Sequence, residues 1–208
     1  MRFSRKDTLY ILGDVIDRNP DGIGLLEEIM AAENMHMLLG NHEYMMIDAI
    51  EDPDFRINEW FTNRDLWYLN GGEITERAFK ALPGERQKRI LDFLKALPLN
   101  LNVQCGGKRY LLVHGSPAAN YRPEYTQYID EREYAVWNRF DPKVDRYDGD
   151  TTVICGHTPT IHLADALPME VVREKNILFI DCGCAYGASE GGRLACLCLD
   201  TGKIVYSR

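Results

Sequence analysis

Four times in this chain an apolar, strand-like run ends at a glycine set beside a polar residue that can bind metal. The four are Leu12-Gly13-Asp14-Val15-Ile16-Asp17-Arg18, Leu39-Gly40-Asn41-His42-Glu43, Val113-His114-Gly115-Ser116-Pro117 and Cys155-Gly156-His157-Thr158-Pro159. Glycine permits a sharp turn and a close approach of backbone or ligand. Polar residues at the carboxyl ends of strands gather on one rim in open α/β sheets, and ligands bind there. This recurrence predicts a mixed α/β fold whose chemistry lies on strand-end loops.

Of the 208 residues, 45% are apolar and 27% charged, which suits one globular domain over 1–208. No run approaches the roughly 20 apolar residues of a membrane helix. The first residues, Met-Arg-Phe-Ser-Arg-Lys-Asp, carry no apolar core of a signal peptide, so a cytoplasmic location is expected. The net charge of −8 and the lack of a basic tail argue against a nucleic-acid binder. Anionic phosphate remains an accessible substrate if metal ions or a few arginines stand in the site.

The apolar runs predict strands at Thr8–Leu12, Met35–Leu39, Leu99–Gln104, Tyr110–Val113, Thr152–Cys155, Asn176–Ile180, Arg193–Leu199 and Lys203–Tyr206. Helical spacing predicts one helix over Pro20–Glu33, with Asn19 as N-cap, and another over Gly84–Leu97. Early alternation suggests parallel strands with covering helices, and the later run suggests antiparallel strands. The stretch 116–150 reads as a long loop with a short helix near Glu131–Arg139.

Six cysteines stand at 105, 155, 182, 184, 196 and 198. Without a secretory signal, disulfides are not expected. Cys182/Cys184 and Cys196/Cys198 form C-x-C pairs on strand-like runs. Structural zinc sites usually space their cysteines two to four residues apart, so the pairs read as small buried thiols rather than a zinc site.

Singly, the four motifs mean little: an Asp after a strand is ordinarily a turn or cap, and a His ordinarily structural. Together, Asp14, Asn41, His114 and His157 make a mixed oxygen and nitrogen set. Such a set suits Mn²⁺, Fe²⁺ or Zn²⁺ better than Ca²⁺. His36 reads as a strand residue and His162 as a loop residue.

The ordered series G-D-V-I-D-R, G-N-H-E, H-G and G-H-T-P resembles the calcineurin-like metallophosphoesterase superfamily, in its phosphoprotein phosphatase branch with bacterial and phage members. Asn70-Gly71-Gly72 with Thr75, following Trp67, strengthens that resemblance. It implies a four-layer α/β/β/α sandwich with a two-metal site, Mn²⁺ first among candidate metals. It implies Asp14 as the bridging carboxylate and Asn41, His114 and His157 as the other ligands of the second metal. His42, backed by Asp17, would protonate the leaving oxygen, and Arg18 would grip the phosphate. Arg139, in Val136-Trp137-Asn138-Arg139, would be a second phosphate arginine. The implied reaction is attack of metal-bound hydroxide on a phosphomonoester, first of the serine/threonine phosphoprotein type. Dinucleoside polyphosphate hydrolysis and a non-catalytic binding or regulatory role are the alternatives.

The family also carries Asp-x-His-Gly on its first strand, and this sequence has no such motif. A fragment, a misplaced start or a true loss of the first metal site would each account for that. The first strand and helix are therefore expected to be missing, leaving ligands for at most one metal and lower stability than a complete relative.

Overall fold

The computed structural model describes residues 3–141 and 149–207. The chain divides into two compact units, Phe3–Pro98 and the part from Leu99 onward. Each is mixed in composition, and the architecture is that of an α/β protein with a central mixed sheet.

The first unit contains β1 (Leu9–Ile11), α1 (Gly22–Ala31), β2 (Met35–Met37), α2 (Asn41–Glu51), α3 (Asn63–Leu69), α4 (Glu73–Lys80) and α5 (Gly84–Ala96). β1 and β2 pair in parallel, Tyr10 opposite His36, as expected of a strand–helix–strand unit. His36 is a strand residue whose ring stacks on Tyr10 at 5.6 Å. α1 buries Ile23, Leu26 and Ile29, spaced three residues apart on one face. It begins two residues later than Asn19 and Pro20 predict. The Asn19 side chain accepts from the Asp21 N–H at 3.1 Å, closing a local turn, and Asp21 becomes the N-cap. α5 matches its expected span, with Ile90 and Leu94 buried.

Helices α2, α3 and α4 have no counterpart among the elements the sequence predicts. α2 starts inside the G-N-H-E motif, with Gly40 as N-cap, and buries Met45, Met46 and Ile47. α3 is opened by Thr62, whose hydroxyl accepts from the Asp65 N–H while the Asp65 carboxylate accepts from the Thr62 N–H.

The second unit holds β3 (Asn100–Cys105), β4 (Lys108–Val113), α6 (Glu131–Trp137), β5 (Thr151–Cys155), α7 (Ile161–Ala164), β6 (Val172–Glu174), β7 (Ile177–Phe179), β8 (Ala195–Leu197) and β9 (Ile204–Tyr206). Five strands form one sheet in the order β3-β4-β5-β7-β6. β4, β5 and β7 run parallel, while β3 and β6 are antiparallel to their neighbours. The later strands are thus less uniformly antiparallel than expected, and β6 was not foreseen. β8 and β9 form a separate antiparallel pair. Leu111, Val113, Val153, Cys155, Ile177 and Phe179 build the core on one face, with Phe140 against them.

The long loop contains two short 3₁₀ turns, Ala118–Asn120 and Pro123–Tyr125, before the expected short helix α6. Part of that loop, 142–148, lies outside the described residues. His162 falls in α7, one helical turn, rather than in a loop.

The cysteines differ from the buried C-x-C pairs the sequence predicts. Every cysteine is a free thiol, but only Cys155 and Cys182 are buried; Cys184 and Cys196 are exposed. Cys182 and Cys184 do not share a strand, because Gly183 between them adopts φ of 67° and turns the chain out of extended geometry. No helix among the described residues is long and apolar enough to cross a membrane.

Candidate active site

In the first unit the G-D-V-I-D-R loop follows β1 and leads to α1. Its backbone is unusual: Gly13, Asp14, Asp17 and Arg18 all have positive φ, at 93°, 57°, 73° and 61°. A non-glycine residue held there costs about 1 to 2 kcal/mol. Compensation comes from hydrogen bonds. The buried Glu43 carboxylate accepts backbone N–H groups of Asp14 at 2.8 Å, Val15 at 2.8 Å, Ile16 at 3.4 Å and Gly40 at 3.1 Å. The Arg18 N–H donates to the Gly71 carbonyl at 3.1 Å, and the Asp17 N–H donates to the Thr75 hydroxyl at 3.0 Å.

Glu43 therefore sets the shape of both motif loops, though it offers no chemistry of its own. Burial, and then the charge of Asp14, push its pKa up, while the converging N–H groups pull it back. The signal for it in the sequence was its place three residues after Gly40, where a glutamate reaches back to the N-cap N–H.

Asp14 follows at the exposed tip of the loop, and its Oδ1 accepts the His42 backbone N–H at 3.1 Å. Asn41 and His42 occupy the first turn of α2, both buried. Gly40 is required where these loops meet, since a Cβ there would lie 2.3 Å from Asp14 Oδ1 and 2.5 Å from the Asp14 nitrogen.

The His42 Nδ1 lies 2.6 Å from Asp17 Oδ2. A carboxylate can only accept, so Nδ1 carries the proton and Nε2 is the working nitrogen. Burial pulls the imidazole pKa down, but the Asp17 hydrogen bond and the charges of Asp14 and Asp17 outweigh it and leave the pKa raised. Arg18 is exposed beside Asp17, its stem packed over Gly71, where a Cβ would stand 2.8 Å from Arg18 Cγ.

In the second unit His114 follows β4 and His157 follows β5. The two strands are hydrogen-bonded neighbours, Val113 opposite Cys155, so the two histidines emerge side by side. Their ring centroids are 5.1 Å apart, and one nitrogen of each lies within 4.8 Å of the other. His157 has φ of 61°. Its Nε2 donates to the Trp137 carbonyl at 3.1 Å, which makes Nδ1 the nitrogen able to ligate. Gly115 lies against the end of α6, where a Cβ would meet the Asn138 carbonyl at 2.7 Å. Arg139 is exposed just past α6, with Nη1 3.5 Å from the His157 carbonyl oxygen. Cys155, one residue before Gly156, is a buried thiol whose pKa burial drives far up, so it is no nucleophile.

Within the first unit the structure thus gathers Asp14, Asp17, Arg18, Asn41 and His42 on one loop and the adjoining first turn of α2. Within the second it gathers His114, His157 and Arg139. Oxygen donors in the first unit and imidazoles in the second are each ligand types that first-row divalent ions accept.

The chain belongs to the calcineurin-like phosphoesterase family, whose model matches residues 2–183. It is similar to serine/threonine-protein phosphatase 1 of Salmonella typhimurium, 28% identical over 186 residues that cover 88% of this chain and 76% of that protein. It is also similar to a symmetrical bis(5'-nucleosyl)-tetraphosphatase of Delftia acidovorans, 45% identical over 111 residues. That match covers 52% of this chain and only 34% of the tetraphosphatase, so the chain spans about a third of that relative's length. A solved metallophosphoesterase from Sphaerobacter thermophilus superimposes with a TM-score of 0.44 at 18% identity, covering 84% of this chain and 65% of that one.

Proposed function

We propose that this chain hydrolyses phosphomonoesters in a metal-dependent reaction, with phosphorylated serine and threonine side chains of proteins as the first substrate class. The observation that carries the reading is the buried Asp17–His42 pair at 2.6 Å, whose Asp17 belongs to the same left-handed loop as Asp14. An imidazole oriented by a buried carboxylate is built to hand a proton to a leaving oxygen.

The two units act in this reading as one catalytic domain over 1–208, with Asp14, Asn41, His114 and His157 as one ligand set. The family match, which runs through both units, supports that assignment. Mn²⁺ is the first candidate, with Fe and Zn as alternatives. A bound divalent ion lowers the pKa of water and neutralises phosphate charge. Arg18 holds the phosphate through its planar fork, and Arg139 adds a second guanidinium. Residues 1–208 contain a single set of four ligands, so one ion and slow turnover are proposed for this stretch of chain.

The phosphatase reading draws on the Salmonella relative, 28% identical over a span that covers 88% of the chain. The second reading, dinucleoside polyphosphate hydrolysis, rests on the higher identity, 45%, to the Delftia protein over a shorter span. The test is Mn²⁺-dependent hydrolysis by residues 1–208 of a phosphoserine peptide, an aryl phosphate and diadenosine tetraphosphate. Hydrolysis of the two monoesters ahead of the tetraphosphate is expected. Faster tetraphosphate cleavage would establish the second reading. Bound metal with no hydrolysis of any ester would make this a binding or regulatory domain.

A further inference from the structure

Asp17 has two carboxylate oxygens to satisfy, and His42 takes only one proton's worth of that capacity. Its side chain is wholly buried, and a buried carboxylate without further donors is costly. The rest comes from a residue fifty positions away. The Trp67 indole N–H donates to Asp17 at 3.0 Å from Oδ2 and 3.2 Å from Oδ1.

Trp67 is itself fully buried in α3, and its ring packs against Gly72. Gly72, just after that helix, lies so close that a Cβ there would stand 2.3 Å from the indole Nε1 and 2.4 Å from Cδ1. The Gly72 N–H donates back to the Trp67 carbonyl at 2.9 Å. Three residues on, Thr75 takes the Asp17 N–H. The stretch from Trp67 to Thr75 thus fixes Asp17 from its side chain and its backbone at once.

We propose that Trp67 is a positioning residue, the third member of a Trp67–Asp17–His42 relay that fixes the ring orientation and tautomer of His42. The inference rests on the reading of His42 as the proton donor to the leaving group. The indole donor stabilises the Asp17 anion and pins its plane, so that Oδ2 faces Nδ1 and Nε2 points outward. Indole suits the role because it donates and cannot accept or ionise. A tyrosine or histidine in its place could turn acceptor and compete for the proton that Asp17 shares with His42.

The test uses residues 1–208 with ¹⁵N-labelled histidine, read by NMR at one fixed pH, so it needs no turnover. Wild-type His42 is expected as a single tautomer with the proton on Nδ1. Trp67→Phe keeps the ring and removes the donor. A measurable share of the Nε2–H tautomer should appear, with the signals of exposed His36 unmoved. An unchanged His42 tautomer in folded Trp67→Phe would overturn the proposal. If Trp67→Phe does not fold, the indole N–H resonance of the wild-type protein decides, assigned by elimination with Trp60→Phe and Trp137→Phe. It should be slow to exchange compared with that of exposed Trp60, and should shift most on Asp17→Asn. A resonance indifferent to Asp17→Asn would overturn the proposal equally. In active protein, Trp67→Phe should lower kcat for alkyl phosphates more than for a nitro-activated aryl phosphate, and add little in a His42→Asn background. An equal loss on both esters in His42→Asn itself would defeat the proton-donor reading, while leaving the tautomer result standing on its own.

Discussion

Asp17 Oδ2 and His42 Nδ1 lie 2.6 Å apart although the two residues belong to different motifs twenty-five positions distant. The contact exists because two loops with incompatible preferences are held together. One has left-handed backbone at three non-glycine residues, and the other is the first turn of α2. Glu43, buried between them, accepts the N–H groups of both.

Loss of His42 should show its role through the leaving group. His42→Asn is expected to slow hydrolysis of alkyl phosphates by about 10²-fold or more, the usual worth of a general acid, and to affect activated aryl phosphates much less. Steady-state rates across a series of esters check this. A loss independent of the ester would mean that His42 does not protonate the leaving oxygen.

Glu43→Gln should damage shape rather than chemistry. An amide nitrogen would face N–H donors that now meet a carboxylate oxygen, and each buried donor left unpaired costs about 1 to 3 kcal/mol. Urea denaturation should show a loss of that order, and amide exchange at Asp14 and Val15 should quicken. Wild-type stability would show that the loops are held by something else.

Gly72→Ala is expected to be one of the most damaging single-methyl additions in the first unit. The added Cβ would stand 2.3 Å from the rigid, buried indole of Trp67. Overpacking of that kind costs about 1 to 3 kcal/mol. By contrast, Gly84→Ala, where a Cβ would meet nothing within 4 Å, should be neutral or mildly stabilising at the start of α5. Thermal unfolding of the two variants side by side gives the comparison.

Acid stability should depend on Glu76. Burial raises its pKa, but the Lys80 ammonium and the Tyr68 hydroxyl outweigh that and leave it below the ordinary 4.5. Lys80 Nζ lies 2.8 Å from Glu76 Oε1, close enough for an ion pair though poorly aligned for a hydrogen bond. A depressed folded-state pKa contributes stability that is present above about pH 4.5 and is lost as pH falls through the folded value. Glu76→Gln should therefore be less stable than wild type at neutral pH, and the gap should close in acid. A gap that widens on acidification would reverse the assignment.

Much of this was legible in the residues. Strand-end glycines beside Asp14, Asn41, His114 and His157 mark the motif loops because a tight turn needs glycine and a ligand needs a strand to present it. The apolar runs located most of the strands for the same reason. What was not legible is telling. Helices α2, α3 and α4 are short or begin inside a motif, so their apolar spacing is too brief to stand out. Glu43 and Trp67 act through contacts 29 and 50 residues away in sequence, and no local pattern announces such pairings. Cys184 and Cys196 are exposed, against expectation, because Gly183 turns the chain before Cys184 and Cys196 takes the outward position of β8. The start of α1 moved because an asparagine side chain can close a turn as readily as cap a helix.

Metal binding tests the proposed four-ligand set most directly. Mn²⁺ titrated into residues 1–208, with free ion followed by electron paramagnetic resonance, should reveal about one bound equivalent by the proposed ligand count. The same titration on Asp14→Ala, and separately on His157→Ala, should lose that binding, because each variant removes one of the four proposed ligands. Tight binding that survives both substitutions would contradict the account, as would two tight equivalents in the wild-type protein.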